Sequence, residues 1–224
     1  MIVVKRAGSE SWRFAEDLGQ IPHAMLFVRD ALRLDTGSGT GIPPRLAGEI
    51  PDRSSLLDSA VRAEAARQWA AWWRGVIGAE PSAHLGPGTV DPAGQRQVLE
   101  NYRQIVDPTV RGTSLAGWSV LQPAAEALFT EGCRWADAAR QPLLPPARMR
   151  PGMFDWHLVR DTAEAVAAEA GVGVIDGSVS LLLVEGTWWE LAAPQLVLCS
   201  VAAVEDPQVA RAILHRVFTS GLAA

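Results

Sequence analysis

Apolar residues at Leu57, Val61, Ala65, Trp69, Trp72, Trp73 and Val76 recur at helical spacing. Arg62, Glu64, Arg67 and Arg74 fall mostly on the other side. The pattern predicts a helix that opens near Ser55, with Asp58 at the third position of a capping box, and ends near Gly78. Trp69, Trp72 and Trp73 then share one face, because residues three and four apart are neighbours on a helix. Asp91-Pro92 predicts a helix running to about Val106, and Pro123 one carrying Leu128, Phe129 and Trp135 to about Arg140. The first 35 residues read less clearly. Ile2 to Val4 suits a short strand and Ser11 to Leu18 a helical turn or two. Pro22 to Leu34 suits a helix, although Met25 to Val28 also suits a strand.

The last 70 residues have the clearest pattern. Asp155 can cap a helix through Ala170, with Gly171 just past its end. Val179 to Val184 reads as a strand, Glu185 to Thr187 as a hairpin connection, and Trp188 to Leu191 as the returning strand. Leu196 to Val204 is nearly continuous apolar, as in a strand covered on both faces. Asp206-Pro207 then opens a final helix with Val209, Ile213, Leu214 and Val217 inward. The order predicts an α+β fold: a helix-rich N-terminal part, then a three-stranded antiparallel meander flanked by two helices. A single domain over 1–224 is expected, with a sub-boundary near the Pro-rich stretch 141–152.

Composition changes this picture at one point. Nine tryptophans stand against one tyrosine. Each indole brings a large apolar area and one N–H in need of a partner, so these residues mark a core or a contact surface. Alternation along the strand puts Trp189 with Leu191 in the core and leaves Trp188 beside Glu190, toward solvent or an interface. Trp69, Trp72, Trp73 and Trp188 are the candidate interface or ligand-binding residues, with a plain helix core as the other reading of the first three.

Charge bears on partners. Residues 151–224 hold nine acidic side chains and three arginines. Such a surface repels polyphosphate, so nucleic acid is not an expected partner. No apolar run approaches the roughly 20 residues that span a bilayer, and no signal peptide is visible. Nineteen arginines against one lysine, with abundant alanine, suggest GC-rich bacterial coding. A cytoplasmic location is the expectation. Cys133 and Cys199 fit neither a CxxC nor a zinc pattern, so no metal and no cofactor is expected.

Chemistry-bearing patterns are sparse. Asp35-Thr36-Gly37-Ser38-Gly39 resembles the D-T-G-S loop of pepsin-like and retroviral aspartic proteases. That resemblance implies a second aspartate sharing a proton with Asp35. No second Asp-Thr-Gly occurs, and Arg33 interrupts the apolar strand the family's loop follows. The five residues read as a Gly-rich loop with Asp35 in an Asx turn. The same glycines run into Pro43-Pro44 and not into a helix, so they make no phosphate cradle. His157, Asp161 and Glu164 lie at i, i+4 and i+7 on one helix face. They could ligate a metal or do acid–base work, or form a solvated face. Together these readings predict a non-catalytic binding or adaptor protein that self-associates or holds a protein partner. A small metal-dependent or carboxylate-based hydrolase is the alternative.

Overall fold

The computed structural model describes residues 4–8, 12–37, 39–83, 118–143 and 152–222. The chain is α+β, with helices and one five-stranded mixed sheet. It divides into two compact units: Met1–Gly19 with Ala139–Ala224, and Gln20–Ala138. The helix expected over 91–106 and most of the Pro-rich stretch, 144–151, lie outside the described residues.

The first unit holds the sheet. Its strands are β1 (Val4–Gly8), β2 (Trp12–Asp17), β3 (Ile175–Leu182), β4 (Trp189–Ala193) and β5 (Leu196–Ser200), in the order β1-β2-β3-β5-β4. The segment expected as a helical turn near Ser11 is thus β2. Its period is two: Trp12, Phe14 and Glu16 are buried on one face, whereas Arg13 is exposed and Ala15 half-buried on the other.

The antiparallel meander is also corrected. β3 pairs with β5 in parallel, with Val179 opposite Val197, and β4 lies outside β5 as an antiparallel edge. Residues 185–187 therefore do not close a hairpin between paired strands. Residue pattern accounts for the swap. Leu196, Val197, Leu198 and Cys199 are at most 1% exposed, so this all-apolar run takes an inner position. β4 carries Glu190 and is nowhere fully buried, which suits an edge. The β5 run also stops earlier than expected. Ser200 turns the chain, its hydroxyl accepting from Ala203 N, and starts the short helix α5 (Val201–Glu205).

Helices α4 (Trp156–Ala170) and α6 (Pro207–Ser220) belong to this unit. Both start as the sequence predicts. Asp155 accepts from the amides of His157 and Leu158, and Asp206 from those of Gln208 and Val209. Gly171 closes α4 at φ 66°, in the left-handed region. Val159, Ala163 and Val166 of α4 join Ile213, Leu214, Val217 and Phe218 of α6 over Phe14, Val179, Leu181 and Val197. Gly177 of β3 sits under Phe218, where an added Cβ would lie 2.9 Å from a ring carbon. Arg140 donates from Nη1 to the Leu18 carbonyl at 2.6 Å, joining the two segments of the unit.

The β4–β5 turn, Pro194-Gln195, holds Gln195 at φ 64°. An L side chain is strained there by about 1–2 kcal/mol. Gln195→Gly should therefore raise stability by roughly 1 kcal/mol, read as a higher urea midpoint. An unchanged or lower midpoint would show that the contacts of the Gln195 side chain outweigh the strain.

The second unit is helical. α1 (Gln20–Ala31) is buried from Pro22 to Ala31, which settles the Pro22–Leu34 ambiguity as helix. α2 runs from Arg62 to Ala83, passing the expected stop at Gly78. Two 3-10 turns, Ser54–Leu56 and Ser59–Val61, replace the expected first turn, and Asp58 caps the second of them. α3 (Gln122–Arg140) starts beside Pro123 as expected. It crosses α1 closely at Gly132, where an added Cβ would lie 3.0 Å from the Ala24 carbonyl oxygen. Gln20 Nε2 donates to Asp137 at 2.8 Å and so clips the two ends of this unit together.

Candidate functional site

The predicted carboxylate–imidazole row lies on the outward face of α4. His157, Asp161 and Glu164 are all exposed, while Val159, Ala163 and Val166 turn inward. Asp161 accepts from Nε and Nη2 of the neighbouring Arg160 at 2.9 and 2.7 Å. Asp155 is committed to the helix cap, and the Leu158 and His157 amides hold its carboxyl below the usual carboxylate range. Among the described residues, no group of three His, Cys, Asp or Glu side chains could hold a metal ion.

The Asp155 cap has a defined pH dependence. A carboxyl lowered in the folded chain adds stability above its ordinary value near 4, and that contribution fades as pH falls through the folded value. Asp155→Asn keeps an acceptor for the cap without the titration. Between pH 5 and 2 its urea midpoint should fall less steeply than that of the unchanged chain. Parallel curves would show that the cap carboxylate contributes nothing to the acid limb.

The other candidate residues are interior. Trp69 and Trp72 are 0% exposed and Trp73 1%. Trp69 stacks on Trp73 with centroids 5.6 Å apart, and Trp72 tilts against Phe129 at 6.1 Å. The N–H groups of Trp69 and Trp73 are used internally, Trp69 donating to the Met25 carbonyl and Trp73 to that of Gly41, both at 2.8 Å. The core reading of these three rings is the one that fits.

Beside them stands a charged pair that the sequence reading passed over. Arg29 and Asp30 are 3% and 2% exposed. Arg29 donates to Asp30 through Nε at 2.7 Å and Nη2 at 3.1 Å, and to the carbonyls of Pro43 and Pro44. Its guanidinium carbon lies 5.3 Å from the centre of the Trp69 ring. Asp30 also accepts from Leu46 N at 2.8 Å and from Arg45. The network ties the loop after α1 to the helix itself. The bonds of both side chains go to partners within the unit, so the pair serves structure.

Trp189, expected in the core, is the more exposed of the Trp188–Trp189 pair. Trp188 is half-buried, with its backbone bonded to Ser200 on both sides. Trp189 shares a face with Leu191 as alternation requires, yet it is 37% exposed because its strand is the sheet edge. The more exposed ring is Trp156, at 44%. It occupies the first position of α4 and rests on Trp12, with centroids 5.1 Å apart and planes tilted by 46°. Trp12 is 2% exposed, and its Nε1–H has no hydrogen-bond partner. Phe154, two residues before Trp156, meets Phe14 edge-on at 5.7 Å. An i, i+2 aromatic pattern thus runs along β2, at Trp12 and Phe14, and across the entry to α4, at Phe154 and Trp156. That doubled spacing was the available signal for this patch.

The protease-like loop folds as an Asx turn, with Gly37 N donating to Asp35 at 3.1 Å, and Asp35 is exposed. Cys199 is buried; desolvation, then the charge of Glu16, push its thiol up, so no reactive thiolate forms near neutral pH. Among the described residues no helix is long and apolar enough to cross a membrane. Compared with known proteins, the chain matches no family model, no curated protein and no solved structure.

Proposed function

We propose that this chain is a non-catalytic binding or adaptor protein that self-associates. The observation that carries the reading is Trp156, a large indole left 44% exposed and resting on a buried one. Trp12 lies beneath it and the Asp155 cap fixes the first turn of its helix. A ring pre-positioned in this way loses little freedom when a partner covers it, and such aromatic anchors dominate binding energy at interfaces. Trp188, half-buried just ahead of the edge strand, is a second contact candidate. The polar side chains agree with a non-catalytic role: Asp155 and Asp206 cap helices, Asp161 pairs with Arg160, and Asp176 with Arg13 at 2.6 Å. The hydrolase alternative rests on His157, Asp161 and Glu164, which stand on an open helix face. No observation raises it above the first reading.

Sedimentation equilibrium of the whole chain tests the proposal. The unchanged protein should form an oligomer, and Trp156→Ala should weaken it by about 2 kcal/mol or more, roughly thirtyfold in dissociation constant. Trp188→Ala should weaken it less. Circular dichroism must show both variants folded. A monomer at every concentration sinks the self-association claim. An oligomer that both variants leave untouched removes these rings from the contact.

A further inference from the structure

We draw no further inference here: the strongest candidate, the outer edge of β4 beside the part-exposed Trp189, carries nothing, because Glu190 and the register slip between Leu191 and Ala193 blunt that edge and nothing in the structure shows what covers it.

Discussion

Replacing Asp30 by Ala should cost about 3–5 kcal/mol of stability, the usual cost of breaking a buried ion pair from one side. The size follows from what is left behind. Arg29 keeps two carbonyl acceptors and the face of Trp69, but it loses its carboxylate at 3% exposure. Leu46 N, on a residue 2% exposed, loses its acceptor as well. Neither group can reach water without opening the loop that Arg29 holds. Two controls separate this account from a general intolerance of change. Arg45→Ala removes a guanidinium that is half in solvent and bonded to Asp30 at 3.3 Å, so it should cost only about 0–1 kcal/mol. Arg29→Met with Asp30→Leu removes both charges together and should recover only part of the loss, because it strands the Leu46 amide and the Pro43 and Pro44 carbonyls. Urea unfolding followed by tryptophan fluorescence reads all three. An Asp30→Ala loss under about 1 kcal/mol would mean that the pair is not sealed from solvent as the contacts imply.

The parts of this fold legible in the sequence were those fixed by local chemistry. Asp155 and Asp206 cap their helices because a short carboxylate reaches the amides two and three residues on, whatever surrounds it. Gly171 ends α4 for an equally local reason. Strand order was not local. Val179 to Leu191 reads as a hairpin because the turn is short, yet β5 enters between its two arms. The clue was present in the unbroken apolar run of β5, which demands neighbours on both sides, whereas Trp188 to Ala192 does not. β2 was missed for the opposite reason. Buried Glu16 and Asp17 follow Trp12 and Phe14, so the period of two does not show in the hydrophobic pattern. Burial of charge hid Arg29-Asp30 as well. A charged doublet inside Met25-Leu26-Phe27-Val28 and Ala31-Leu32 could only be buried if α1 is apolar all round, and then the charges must answer each other. At the candidate site, counting tryptophans singled out Trp69, Trp72, Trp73 and Trp188 and passed over Trp156. Exposure depends on what the tertiary fold lays over each ring, so Trp69 and Trp156 look alike in sequence and differ completely in place.

Glu16 supplies the second large effect. Its side chain is 9% exposed on the helix-covered face of the sheet, with Oε1 accepting from Met153 N at 2.7 Å and Oε2 from Phe154 N at 3.2 Å. One carboxylate thus satisfies two successive amides just ahead of the Asp155 cap, and so sets where α4 begins over β2. Glu16→Ala should cost roughly 2–4 kcal/mol, since each stranded buried donor costs about 1–3 kcal/mol and Met153 is only half-buried. Glu16→Gln should fall between, because its amide can turn an oxygen to one N–H but must face the other with a donor. Gly152 gives an internal check. A Cβ there would stand 2.7 Å from Oε2 of Glu16, so Gly152→Ala must displace the carboxylate. In a chain that already carries Glu16→Ala the collision is gone, and the two losses should fall short of additive by about 1 kcal/mol or more. Near-ultraviolet circular dichroism adds a readout tied to the proposed surface. If Glu16 positions the start of α4, its loss frees Trp156 from Trp12 and weakens the tilted indole pair's signal at temperatures where the chain remains folded. Additive losses with an unchanged aromatic spectrum would separate Glu16 from the placement of Trp156, and the mount proposed for the contact ring would then rest on the Asp155 cap alone.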